Sequence, residues 1–303
     1  MAKRVVTLYV DDTSLRLLET RGKQVKKWAD LPLESGLVSD GVVLDEEKMV
    51  TKIKELFEDQ KVKAQKVILG LSGLHCLFQM ITLPSLPRAM LPEAVRQEAE
   101  RNLPVPLEQL YLSWQVISDD GKEMRVFLSA IPCSAADTII KAMRKAGVEP
   151  YLMDLKPLAL ARVLREATAI SIDAQTAEFD IIVMVDGIPH PIRTVPFPNE
   201  MLSLQEKLSI IREELERTIK FYNSSHPEKA LESSLTIYIS GELADEPELC
   251  QSLSSELEYS VSLLSSPLKF AESLVPGRYM VNIGLALKEL SLGKGSSWGE
   301  VSG

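Results

Sequence analysis

The chain has 303 residues, a length that fits two domains with a smaller third unit. Its 45% hydrophobic and 25% charged residues exclude wholesale disorder and a fibrous repeat. A net charge of -9 excludes the basic footprint that a nucleic-acid binder needs and disfavours a polybasic membrane anchor.

Residues 4–10 read as a strand, Asp11-Asp12-Thr13-Ser14 as turn chemistry, and residues 15–19 as the returning strand. Gly22 turns the chain again before a third strand over 25–31. Asp45 is the expected N-cap of a helix whose apolar stripe is Met49, Val50, Ile53, Leu56 and Phe57. A short apolar run at 66–72 is of the buried-strand type.

Pro84, Pro87 and Pro92 then mark a change of unit, with Pro92 in the first turn of a helix over 91–103. Two strands are expected at 111–117 and 124–132, and a helix at 135–146 closed by Gly147. Residues 84–157 thus read as an inserted strand-and-helix module.

From residue 169 the opening pattern restarts. A strand ends in Asp173, and Thr176 follows three residues later, as Ser14 follows Asp11. A second strand over 179–185 leads to the hairpin turn Asp186-Gly187. This spacing pairs Asp11 with Asp173 and Gly22 with Gly187. Leu204, Leu208, Ile211, Leu215, Ile219 and Tyr222 then fall at helical spacing, ahead of a strand over 235–239 and the turn Ser240-Gly241. The repeated pattern points to two similar α/β lobes facing a cleft.

Other constellations carry less. No run reaches the ~18 apolar residues of a membrane span, and the first residues lack a signal-peptide core. Cys76, Cys133 and Cys250 are too scattered for a disulfide framework. A cytoplasmic location without direct membrane insertion is therefore expected. His75 and Cys76, read on a strand, point to opposite faces, and no metal-ligand spacing exists, so no metal site is expected and the cysteines read as buried and inert. His190, between Pro189 and Pro191, reads as a turn residue. Residues 291–303, rich in Gly and Ser, read as a disordered tail with Trp298 exposed.

Several longer stretches share a resemblance. Ile81-Thr-Leu-Pro84, the run from Glu93 to Pro106 with its continuation to Trp114, Ala146-Gly-Val-Glu-Pro150 and the helix from Arg212 to Tyr222 resemble the PilM group of type IV pilus assembly proteins. Asn282-Ile-Gly-Leu-Ala-Leu-Lys288 resembles the closing helix of that group. The group lies within the actin-like ATPase superfamily and is similar to FtsA. The resemblance implies an α/β, actin-like (ribonuclease H-like) two-lobe fold with a small inserted α+β subdomain. The expected division is 1–83 with 158–168, the insertion 84–157, the second lobe 169–290 and the tail 291–303.

In that superfamily each lobe supplies a phosphate hairpin with an aspartate and a glycine, and a glycine turn accommodates adenosine. Glycine lets backbone N–H groups approach phosphate oxygens. By resemblance, the nucleotide-binding set here is Asp11, Thr13, Ser14, Asp173, Thr176, Gly241 and Glu242. Each loop departs from the pattern. The first hairpin lacks glycine, and aligned without a gap it places Tyr9 on the aspartate position. Asp12 adds a second negative charge facing a polyphosphate. Gln175 stands where the second hairpin's glycine belongs, and Glu242 replaces the second glycine of the turn. The expectation is weak or absent nucleotide binding, with no catalytic residue and no required cofactor; the alternative is an ATPase whose ATP and Mg2+ gate partner binding. The resemblance also implies a scaffold that binds the cytoplasmic N-terminal segment of a PilN-like bitopic membrane protein, in a groove between the first lobe and the insertion. The expected groove material is residues 83–114, which start at Leu83 and end at Trp114. Self-association stays open.

Overall fold

The structure, a computed structural model, describes residues 2–63, 66–199, 201–256 and 259–291. The opening segment is a meander of β1 (Arg4–Val10), β2 (Ser14–Arg21) and β3 (Gln24–Pro32). The short pair β4 (Val38–Ser39) and β5 (Val42–Val43) precedes α1 (Glu46–Asp59). Asp45 caps α1 by accepting from the Lys48 N–H at 3.0 Å, and the expected apolar stripe is buried. Next come β6 (Val67–Leu71), β7 (Leu77–Pro84), α2 (Leu91–Asn102), β8 (Leu110–Asp119) and β9 (Glu123–Pro132). They lead into α3 (Cys133–Lys145), β10 (Pro150–Leu155) and α4 (Lys156–Val163). The second half has β11 (Ala169–Ala174), β12 (Glu178–Val185), β13 (Ile188–Pro196) and α5 (Leu204–Ser225). It ends with β14 (Thr236–Ser240), α6 (Pro247–Glu256), β15 (Ser260–Leu263) and α7 (Met280–Ser291).

Two five-stranded sheets follow one plan. The first has the order β10-β6-β1-β2-β3 and the second β13-β12-β11-β14-β15. In each, a meander of three antiparallel strands extends into two parallel ones. This is the internal duplication expected from the sequence, but its register differs. The Asp11 N–H donates to the Ser14 carbonyl, and the Gln175 N–H donates to the Glu178 carbonyl. The residues flanking these turns pair Tyr9 with Arg16 in one lobe and Asp173 with Asp180 in the other. Asp11 is therefore equivalent to Gln175, and Tyr9 to Asp173, so the expected match of Asp11 with Asp173 is off by two residues. A strand keeps its faces only under even shifts, which is why the error still left an aspartate on a plausible face.

The insertion is also smaller than expected. The three-stranded sheet β7-β9-β8 packs one face against α2, through Ile81, Leu83, Leu91, Val95, Val126 and Leu128. The other face, with Phe127 and Ile131, joins the core of the first sheet. Helix α3 packs into that first core through Ala136, Ile139 and Met143, and β10 is hydrogen-bonded to β6. Residues 133–157 thus belong to the first lobe rather than to an inserted unit, and β7 begins the small sheet at Leu77, ahead of residue 84.

The closing helix is placed differently too. Helix α7 packs against α4 and the first sheet, sharing a core with Val5, Tyr9 and Ile68 as well as with Ile182 and Met184 of the second sheet. A Cβ on Gly284 would run into the Ala159 carbonyl of α4, so only glycine permits this helix contact. The paired helices α4 and α7 bind the two lobes into one core. Ser291, expected to begin the tail, is the last residue of α7, and the rest of the expected tail, with Trp298, lies outside the described residues.

Candidate functional site

The expected phosphate hairpins meet where the two sheets face each other, and their polar groups are taken up by one another. In the first hairpin, Asp11 Oδ1 accepts from the Thr13 N–H at 2.9 Å, the Thr13 hydroxyl at 2.8 Å and the Ser14 N–H at 2.8 Å. The backbone donors that would reach a phosphate are held by the loop's own carboxylate. Asp12 accepts from the Asp40 and Gly41 N–H groups at 2.9 Å each. The expected second charge facing a polyphosphate is therefore a clamp on the β4–β5 turn. Burial raises the Asp12 pKa against those two hydrogen bonds.

Arg16, on β2, is fully buried and ties the lobes together. Its guanidinium lies 2.8 Å from Asp11 Oδ2, 2.6 Å from Glu242 Oε1 and 3.5 Å from Asp30 Oδ2. Burial alone would lower its pKa, but Asp11, Glu242 and Asp30 outweigh this and raise it. Asp11 responds in kind: burial raises its pKa, and Arg16 with the Thr13 hydrogen bonds brings it below the ordinary value. Asn282 of α7 adds a link, donating to the carbonyl of Arg16 at 2.8 Å and the Thr7 hydroxyl at 3.1 Å.

A second buried cation, Lys156 at the start of α4, serves the other hairpin. Its ammonium lies 2.6 Å from Asp180, 3.0 Å from Glu178 and 3.2 Å from Asp173. Asp173 also accepts from the Ser240 hydroxyl and the Gln175 amide, both at 2.7 Å. Three carboxylates around one ammonium leave excess negative charge. Burial, with Glu178 and Asp173 adding and Lys156 opposing, pushes the Asp180 pKa up to about 7. Ser72, after β6, donates to Glu178 at 3.0 Å, a further bond between lobes.

The remaining expected residues are structural in their contacts. The Thr176 carbonyl accepts from Lys207 at 2.8 Å. Gly241 has φ +96° and presses on the backbone of Ala174, where a Cβ would collide. The structure thus brings Asp11, Ser14 and Glu242 together around Arg16, and Asp173 together with Ser240 around Lys156. Among the described residues, no group of three or more His, Cys, Asp or Glu side chains is arranged to hold a metal ion. His75 sits in a turn at φ +61° rather than on a strand, and the three cysteines are half-buried free thiols. His190 lies on β13, not in a turn.

A separate groove runs between the small sheet and the first lobe. It has a cavity volume of about 60 Å³ and is lined by 111–115 of β8, Met153 to Leu155 of β10, and Leu158, Arg162 and Lys288 from α4 and α7. Both β8 and β10 are edge strands of their sheets. Gln115 Oε1 is buried there without a hydrogen-bond partner. Of the expected stretch 83–114, only Tyr111 to Trp114 reach this groove; Leu83 and α2 pack on the opposite face of the small sheet.

The family description "Type IV pilus assembly protein PilM" matches residues 13–189, more than half of the chain. The chain belongs to the PilM family. Among solved structures, a PilM–PilN type IV pilus biogenesis complex contains a similar chain, 21% identical, with a TM-score of 0.80 over 96% of this chain and 99% of that one. The ethanolamine utilization protein EutJ of Carboxydothermus hydrogenoformans matches with 14% identity and a TM-score of 0.57, covering 95% of this chain and 90% of its own. MreB5 of Spiroplasma citri, solved with ADP, matches with 9% identity and a TM-score of 0.52, covering 97% and 99%. The fold of this PilM-family chain is thus actin-like. No curated protein matches it.

Sequence reasoning missed Arg16, Lys156, Glu178 and Asp180, which organise the cleft of this PilM-family chain. Arg16 and Asp180 occupy strand positions two residues beyond the turns, and alternation would mark both as inward-facing polar residues. Nothing in local sequence marks Met153, Leu158 or Lys288 as groove residues, since their meeting depends on β10 pairing with β6.

Proposed function

We propose that this chain is a cytoplasmic, nucleotide-independent scaffold of a type IV pilus assembly platform, which holds the N-terminal segment of a PilN-like membrane protein in the groove between β8 and β10. The observation that carries the reading is the pair of open strand edges on either side of an apolar groove. An extended segment there gains main-chain hydrogen bonds from an edge and places alternate side chains into the groove. The buried acceptor of Gln115 suits a backbone N–H of such a strand. Family membership and the likeness to a chain solved in a PilM–PilN complex support the choice of occupant. The cleft supports nucleotide independence, because the carboxylates that would face Mg2+ are already engaged by Arg16 and Lys156.

Titration of the full chain with a fluorescent peptide of the N-terminal segment of the PilN-like protein from the same genome tests this. Saturable binding is expected, weakened at least about tenfold by Ser113→Tyr, which fills the groove from β8. An unchanged melting temperature in that variant assigns the loss to the groove. Binding unaffected by Ser113→Tyr overturns the site.

A further inference from the structure

Two short runs of the sequence, Arg21-Gly-Lys-Gln-Val-Lys-Lys27 and Lys61-Val-Lys-Ala-Gln-Lys66, carry four and three cations and no acidic residue. The fold brings both runs to the end of the first sheet where β1, β6 and β10 begin. Arg21 pairs with Arg4 in the β1–β2 ladder, and β6 starts one residue after Lys66. Lys27 donates to the carbonyls of Gln60 and Lys61 at 2.8 and 3.1 Å, and Arg4 donates to the Lys63 carbonyl at 2.9 Å. These carbonyls hold the two runs together without cancelling their charge. Acidic groups do reach this rim. Glu19 lies 2.9 Å from Arg4 and 3.9 Å from Arg21, and Glu58 lines a hollow with Lys54, Lys61 and Lys63. Among the described residues, however, Lys23, Lys26, Lys54, Lys61, Lys63 and Lys66 are exposed and make no ion pair. The chain reaches its net charge of -9 in spite of them, so that average hides a strong asymmetry between this rim and the rest.

The rim adjoins the groove. Tyr151 of β10 is 39% exposed and has the Lys66 ammonium 5.7 Å from its ring centre, while Met153 to Leu155 of the same strand line the groove. On α7, Lys288 lines the groove and the next residue, Glu289, pairs with Lys3 beside Arg4. A strand docked along β10 therefore has one of its ends at the rim, about 7 Å from the groove residues. The occupant proposed above belongs to a membrane protein, so its chain has to pass from the groove to a bilayer. We propose that this basic rim is a docking surface for the anionic headgroups of a lipid bilayer, which sets the chain with the starts of β1, β6 and β10 against the membrane. The proposal rests on the groove reading for the choice of a bilayer, and adds the face that is turned to it. Clusters of this size are attracted to anionic leaflets over about a Debye length, and a tyrosine ring suits the headgroup level, so the contact needs no insertion. A flat surface meets one end of the molecule alone, whereas an extended nucleic acid would run on over the acidic remainder.

The test is sedimentation of the full chain with vesicles of phosphatidylcholine alone and of phosphatidylcholine with about one third phosphatidylglycerol. Binding is expected to the anionic vesicles only, and should fall steeply as salt rises from about 0.05 to 0.5 M. Reversing three exposed rim charges together, in Lys61→Glu, Lys63→Glu and Lys66→Glu, should weaken it about tenfold or more. Arg88→Glu, Arg96→Glu and Lys122→Glu make the same change in total charge at exposed positions outside the rim, and should leave most of the binding intact. Titration of each variant with the fluorescent peptide of the PilN-like segment reports its fold, and that affinity should not change. Equal losses in the two triple variants would mean that total charge governs binding, which overturns the rim. Equal binding to both vesicle types overturns headgroup recognition. No binding to either vesicle overturns the membrane as occupant and leaves an acidic protein face as the partner of the rim. A chain that binds anionic vesicles through the rim but never binds the peptide overturns the groove reading and keeps the rim.

Discussion

Arg16 is equivalent in the first lobe to Asp180 in the second, so one strand position holds opposite charges in the two halves of the duplicated plan. Each charge has been given partners from the other lobe or from α4. Arg16→Met would leave Asp11 and Glu242 buried without their cation, and an uncompensated buried pair costs about 3–5 kcal/mol; urea unfolding should report a loss of that order. Asp180 supplies a pH signature. Its folded pKa of about 7 exceeds the unfolded value near 3.9, so the folded chain holds this proton more tightly. The associated stability is complete below about pH 4 and is lost as pH rises through 7. Between pH 5 and 8 the unsubstituted chain should therefore lose up to a few kcal/mol relative to Asp180→Asn, at about 1.4 kcal/mol per pKa unit. Asp11 has the opposite sign: its depressed pKa contributes above about pH 4, and acid should remove that contribution. Of this cluster Asp11, Asp173 and Glu242 were legible at the turns, but Arg16, Lys156, Glu178 and Asp180 were not, since nothing in the local sequence gives them their partners.

At the scale of elements, α4 and α7 meet through Gly284 and Ala159 so closely that no side chain fits between them. Gly284→Ala should cost about 1–3 kcal/mol by overpacking, and a larger residue more; thermal melting across Ala and Val substitutions at 284 checks this gradient. Helices with strong apolar stripes, α1, α3 and α5, could be read from spacing and caps, as could the opening meander of the first lobe and the β11–β12 hairpin of the second. The strands β10, β13 and β15 could not. β13 contains Pro189 and Pro191, which argue against a strand, yet it sits at a sheet edge where proline is tolerated. β10 joins β6 across some eighty residues of chain by parallel pairing, a non-local event with no local signal. Misplacing β10 is also what enlarged the expected insertion and hid half of the groove.

On the scale of the whole molecule, the two lobes are joined by the Arg16–Glu242 and Lys156–Asp173 pairs, the Ser72–Glu178 bond and a shared core around α4 and α7. Calorimetric titration with ATP and Mg2+ into the millimolar range is expected to give no saturable heat. Saturable binding that disappears in Asp173→Ala would reinstate a nucleotide-gated reading of the cleft. The two exposed strand borders of the groove carry a further consequence, for the cell rather than for the fold. Unpaired edges invite pairing with whatever strand arrives first, including another copy of the same chain. With the proposed segment absent from the groove, those edges would be the part of the chain most prone to such pairing.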